Sequence, residues 1–596
     1  LPASVSLKFL ATTTLALPMV CFAAQPSWGD RPLNVVYPPQ THRTTAAQIF
    51  FIGTANPNLP VLLNGQVIEQ RSPAGHFSPS IPLQWGENQI TLQAGEQTLT
   101  FQIHRQALEP DGLTTAAGFR ILEPTANLAR QPGEPLCFTA LASPGDRLRV
   151  QVGPKTVNLS AIDGSGILAP NTAALIDQTT VYSSPSQTYR GCTALDTPGD
   201  YGQIRWHLGQ GSSDQTVEPG TTLEILDPAQ LPRITVIRPE GGIARTGPGT
   251  DYSRLTPLPP GTRAQVTGRT GDWLRLDYGG WIRASETQSL PLATPTQARI
   301  RSIIARPQSG WTEITFPLEL PVPVTVTQGD RHFTLTLHNT TAQTDVIRLD
   351  PDPVIQRLDW AQVSPSQVQY RFQLHSPQQW GYRLRYEGNQ LIVSLRHPPP
   401  QPRGNQPLSG IKILLDPGHG GPEDLGARGP DGTPEKEMTL ILSQHLARDM
   451  EQLGATVILT LEDDRDLDLP ERVALIDATE PTLALSIHYN ALPDAGDAWN
   501  TQGIGTFWYE PQSHSLAIFL EEYLSRRLNR PRYGVFWNNL ALTRPTVAPA
   551  VLLELGFMIN PEEFEWITDP QAQAALSRTL AQGIQEWLDT VLVPHP

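Results

Sequence analysis

The chain has 596 residues, about four times a common domain length, so several domains are expected. Only 17% of residues are charged, and the net charge of −15 comes without a basic block, which excludes nucleic acid as the main partner. With 58 Pro and 47 Gly the composition favours turn-rich β modules over a helical bundle, and a 39% apolar share suffices for packed cores.

In residues 1–24, Lys8 precedes an uncharged run that ends Val20-Cys21-Phe22-Ala23-Ala24. A basic start, a short apolar core and a small-residue end read as a secretory signal, so export to the periplasm or cell envelope is expected. The run is shorter than the ~20 apolar residues of a membrane span. No later segment qualifies either, so no stable span is expected after signal removal. Cys137 and Cys192 then remain. Two cysteines in an exported β domain can pair, closing a loop of about 55 residues worth ~4 kcal/mol; the alternative is two buried free thiols.

Residues 31–107 read as short strands, with 48–53 one strand and 61–68 a hairpin turning at Asn64-Gly65. That spacing predicts an immunoglobulin-like sandwich. Residues 118–230 form a further strand-rich block holding both cysteines. The 232–290 segment carries Arg245-Thr246-Gly247-Pro248-Gly249-Thr250-Asp251-Tyr252, then Trp273 and Trp281 in short strands between glycine turns. It resembles a bacterial SH3-like (SH3b) domain, which implies binding to wall glycan or peptide; both Trp fit a core role as well. In 297–396, Tyr370, Phe372 and Leu374 share one face, as do Tyr382, Leu384 and Tyr386, predicting antiparallel strands. This block is similar to the β-sandwich modules that target wall amidases. The Pro-rich stretch 397–408 reads as a stiff linker.

From 409 to 594 the pattern changes. Strands are expected at 411–415, 456–460, 483–487, 505–509 and 551–555, and helices at 436–453, 513–528 and 571–589. A turn is expected at 537–539 and a short strand at 540–542. Alternating strands and helices predict an α/β layer with a mainly parallel sheet, whose ligands bind beyond the carboxyl ends of the strands. His419 follows the first strand in Asp416-Pro417-Gly418-His419-Gly420-Gly421, and His488 ends the third. Glu435 opens the long helix, and Glu554 sits inside the apolar run 551–557, where a lone carboxylate is costly. Two His and a Glu make a three-ligand zinc site with an open fourth position. A separate Glu can then act as general base.

These stretches, with Asp424-x-Gly426, Ser486-Ile487-His488-x-Asn490 and Leu553-Glu554-Leu555-Gly556-Phe557, resemble the zinc-dependent N-acetylmuramoyl-L-alanine amidases. The resemblance implies one Zn²⁺ per chain on His419, Glu435 and His488, catalysis by Glu554, and peptidoglycan as substrate. Glu437 departs from the Asp of many relatives but keeps the charge. Asn490, Arg472 and Arg544 are substrate-binding candidates; for the two arginines, support of the metal ligands from behind and a structural ion pair are the alternatives. A zinc peptidase cutting within the stem peptide, and a catalytically inactive wall-binding scaffold, stay open as other readings. Some relatives insert an inhibitory helix before the catalytic-Glu strand. Here the 513–528 helix and its return leave no room for a second long one, so the cleft is expected to be open and no activator protein required. The modules at 31–396 are expected to act by localising the enzyme on the wall.

Overall fold

The computed structural model describes residues 31–107, 112–163, 171–176, 186–210, 213–401 and 406–592. The expected signal at 1–24 lies outside them, as do 402–405 of the linker and the last two residues of the 409–594 block. Among the described residues no helix is long and apolar enough to cross a membrane.

All modules before the linker are built from strands. The first is a sandwich. Asn34–Tyr37, Ile52–Thr54 and His76–Phe77 form one sheet, and a five-stranded sheet centred on Gly86–Ala94 and Gln97–Arg105 forms the other. Phe51, Phe77, Phe101 and Leu92 fill the space between them. Asn64 and Gly65 both take positive φ (49° and 80°), the geometry of a two-residue hairpin turn. The expected strand at 48–53 breaks in two at Phe51.

In the next block a disulfide joins Cys137 to Cys192, which face each other across paired antiparallel strands. Trp206 is fully buried there against Phe119 and Phe138. The SH3-like unit does not stand apart from this block. Leu128–Arg130 pairs with Thr222–Ile225 on one side and with Arg263–Thr270 of the SH3-like unit on the other. Trp281 is buried, whereas Trp273 is half-buried under the Arg283 guanidinium. Residues 298–396 form a sandwich of a five-stranded and a four-stranded sheet. Tyr370, Phe372 and Leu374 all point into its core, as alternation requires.

The last module is α/β, and its elements are numbered here from its own start. They are β1 (Lys412–Pro417), α1 (Glu435–Gln452), β2 (Thr456–Leu459), α2 (Leu469–Thr479), β3 (Leu483–Asn490), β4 (Ile504–Trp508), α3 (His514–Leu528), β5 (Arg532–Trp537), β6 (Ala550–Phe557), α4 (Pro561–Thr568) and α5 (Pro570–Val591). The sheet order is β2-β1-β3-β6-β4-β5. Strands β2, β1, β3 and β6 are parallel, while β4 runs against β6. Alternate residues of β1 serve two faces. Ile413 and Leu415 join the core under α1, α3 and α5, and Leu414 joins Ile476 of α2 on the other side. Between β4 and β6 the chain forms α3, β5 and a short 3-10 turn at Ala541–Thr543, where a strand was expected.

Candidate metal centre

Three segments converge at the carboxyl ends of β1, β3 and β6. His419 follows β1 with φ of +65°, a left-handed conformation that turns its ring back over the sheet. The preceding residue must be glycine, because a Cβ at Gly418 would lie 2.3 Å from the His488 ring. Buried Arg472 of α2 holds this turn. Its Nη2 donates to the His419 carbonyl at 2.7 Å, and its Nη1 to Pro417 O at 2.6 Å and to Asp416 Oδ1 at 2.9 Å. Asp416, also buried, accepts from Thr460 and Ser486 hydroxyls as well.

Glu435 opens α1 and is 2% exposed. Its Oε2 accepts from Ala427 N at 2.8 Å and its Oε1 from Tyr489 N at 2.9 Å. His419 Nε2 lies 3.1 Å from Oε2, and His488 Nδ1 lies 3.0 Å from Oε1. All three donor atoms fall within 4.8 Å of one another. Ligands about 2.05 Å from a tetrahedral centre sit about 3.4 Å apart, so this spacing fits one small divalent metal. Asp424 Oδ1 accepts from His419 Nδ1 at 2.6 Å, which fixes the tautomer and leaves Nε2 as the free donor. Gly426 is needed here too, since a Cβ would meet Glu435 Oε2 at 2.6 Å.

The close packing of these groups sets their ionisation in the metal-free protein. Burial alone would raise the Glu435 carboxyl, but the two imidazoles pull it well below the carboxylate range. Burial likewise opposes charge on His419, yet Glu435 and Asp424 outweigh it and raise the imidazole to about 9. Glu554 pairs across the sheet with His488. Its Oε2 is buried without a partner, and burial, then the neighbouring Glu435 charge, push its carboxyl well up. An orphaned carboxyl beside a His–Glu–His set is the arrangement a bound divalent ion would complete.

The other sequence candidates separate. Asn490 ends β3, two residues after His488; its Nδ2 is buried without a partner, and its Oδ1 accepts from Ala491 N at 2.8 Å. Arg472 is spent entirely on Asp416 and backbone carbonyls, so it positions His419 rather than binding substrate. Arg544 is not at the site. It lies before the amino end of β6, the opposite end from Glu554, and its guanidinium donates to Asn539. Asp416 and Asp424 carry roles that sequence reasoning did not assign. Asp424 has a signal, since it stands five residues after His419 in a quoted motif.

A His–Glu–His set with a separate buried carboxyl, at the carboxyl ends of a mixed, mostly parallel sheet, defines the class as an α/β metallohydrolase. Residues 413–586 match the family model described as N-acetylmuramoyl-L-alanine amidase, and 240–288 match the bacterial SH3 domain. The germination-specific N-acetylmuramoyl-L-alanine amidase of Bacillus subtilis is 34% identical over 195 residues, 30% of this chain and 80% of that protein. The chain therefore belongs to the N-acetylmuramoyl-L-alanine amidase family. "Probable cell wall amidase LytH" of Staphylococcus epidermidis is 31% identical over 200 residues, 33% of this chain and 65% of that protein. This chain thus spans a little under two thirds of that relative's length. The solved CwlD amidase of Clostridioides difficile, in complex with the GerS lipoprotein, is 30% identical, with 30% of this chain and 99% of that chain covered at a TM-score of 0.28.

Proposed function

We propose that this protein is an exported peptidoglycan hydrolase that cleaves the amide between the lactyl group of N-acetylmuramic acid and L-alanine, in wall remodelling or cell separation. The observation that carries this reading is the convergence of His419, Glu435 and His488 beside the unpartnered carboxyl of Glu554. His419, Glu435 and His488 would hold one zinc ion, which would supply Lewis acidity toward water and the amide carbonyl. Glu554 takes a proton from the attacking water and returns it to the departing amine nitrogen. The family's amidase names support this bond over one inside the stem peptide.

Mass spectrometry of products from purified peptidoglycan tests the reading. Intact stem peptides with a free L-alanine amine are expected. Fragments cut only within the stem would replace it with the peptidase reading, and no products from zinc-loaded protein would favour the scaffold.

A further inference from the structure

The N-terminal sandwich docks on the hydrolase module at the same end of the sheet as the donor set. Phe50 and Ile52 share one buried cluster with Ala498, Phe557 and Ile559. Each of the five is at most 4% exposed, as in a domain core. Phe557 lies three residues beyond Glu554, and Ala498 lies on the loop that leaves the His488 strand. Polar contacts ring the joint. Tyr37 Oη donates to Asp494 Oδ1, and His42 Nε2 lies 2.9 Å from Asp494 Oδ2. Ala74 N donates to Glu565 Oε1 at 2.9 Å.

A line of contacts leads inward from this joint. The His76 ring, 3% exposed, meets Phe564 of α4 edge-on with centroids 5.3 Å apart. Its Nδ1 has no partner. Burial lowers the His76 pKa despite the Asp431 and Glu565 carboxylates, so the ring packs as a neutral group. Phe564 covers Gly429 so closely that a Cβ there would lie 2.1 Å from the ring. Gly429 belongs to the loop whose Ala427 N–H grips Glu435. That loop also holds Gly426 and Gly432, and a glycine-rich segment has much conformational freedom to lose before it can present a ligand.

We propose that the N-terminal sandwich braces the metal centre, with His76 acting through Phe564 on the 426–434 loop and Asp494, latched by Tyr37 and His42, steadying the segment after His488. His76 and Asp494 are then positioning residues for Glu435 and His488. The sandwich does more than localise the enzyme on the wall. Its effect on turnover rests on the amidase reading, whereas its effect on the loop does not.

The test uses the full chain with His76→Ala, His76→Phe and Asp494→Ala. Three readouts are taken: zinc release to a chromogenic chelator, amide exchange across 424–436 and 490–500 in the metal-free protein, and kcat and KM on a soluble muropeptide. His76→Ala and Asp494→Ala are expected to speed zinc release about tenfold, the size of effect seen when outer partners of a metal site are lost. His76→Ala should raise exchange in the 424–436 loop, Asp494→Ala should raise it across 490–500, and both should lower kcat with little change in KM. His76→Phe, which keeps a ring on Phe564 and loses no Nδ1 partner, should restore all three. Unchanged release and exchange in both alanine variants would overturn the brace. So would higher turnover in them, which would make the sandwich a cover over the cleft. If exchange responds as expected but the parent protein releases no stem peptides, the amidase reading falls and the brace stands. Should His76→Ala fail to fold, Asp494→Ala decides.

Discussion

Replacing Arg472 by Met keeps most of the buried stem and removes the guanidinium. Four hydrogen bonds go with it, to Leu467 O, Asp416 Oδ1, Pro417 O and His419 O. Asp416, 1% exposed, keeps only the hydroxyls of Thr460 and Ser486 around its charge. Breaking a buried pair from one side costs about 3–5 kcal/mol. Each kcal/mol moves the midpoint of a 150–250-residue domain by about 2–4 °C, so the hydrolase transition should fall by roughly 6–20 °C. The His419 turn also loses its carbonyl anchor, so metal retention should weaken in parallel. Calorimetry of the full chain, with zinc content measured alongside, reads both effects. Arg472→Lys keeps the charge, but one ammonium cannot serve Asp416, Pro417 and His419 together, so it should lie between the parent and Arg472→Met. Adding Asp416→Asn to Arg472→Met removes the stranded charge and should recover part of the loss. A midpoint for Arg472→Met within about 2 °C of the parent, with zinc retained, would refute the reasoning.

Glu554→Gln should keep zinc and lose turnover by about 10²–10⁴ in a muropeptide assay, the contribution of a general base. His488→Ala should lose metal and activity together, as elemental analysis would read; full zinc content in it would remove His488 from the site. Asp424→Ala should weaken zinc binding by about 10–100-fold in a chelator competition, since the His419 ring loses the carboxylate that orients it. The raised His419 pKa sets a pH dependence in metal-free protein: its stabilising contribution is complete below about 6.5 and is lost as pH rises through about 9. Denaturation midpoints at these two pH values, compared with those of His419→Gln, should differ in that direction.

The site was legible because its chemistry is local in sequence. Glycines flanking His419, a His at the end of an apolar run, and a carboxylate inside one each break a pattern that a purely structural strand would keep. Helices α2 and α4 went unread despite clear starts. Asp468 and Glu471 form a capping box, and Asn560 accepts from the N–H groups of Glu562 and Glu563 ahead of a Pro at the first turn. Strand β5 escaped because it is an edge strand, half-buried at most and paired only with β4. Arg544 was misplaced because likeness of motif says nothing of which end of β6 a preceding loop occupies. The joint between Phe50 and Phe557 lies beyond any periodicity argument, since the partners are some five hundred residues apart.

The strand Leu128–Arg130 bears on how such a chain can be cut or shuffled. It sews the SH3-like unit to the block before it through a continuous ladder, reinforced by Arg130 donating to Arg269 O and by the Arg275–Glu134 pair. A fragment beginning near 232 would carry Arg263–Thr270 with that side of its ladder bare, an invitation to pair with another copy. The unit is therefore a poor cassette for grafting onto other enzymes. Exchange between relatives should be tolerated when the breakpoints enclose both blocks together.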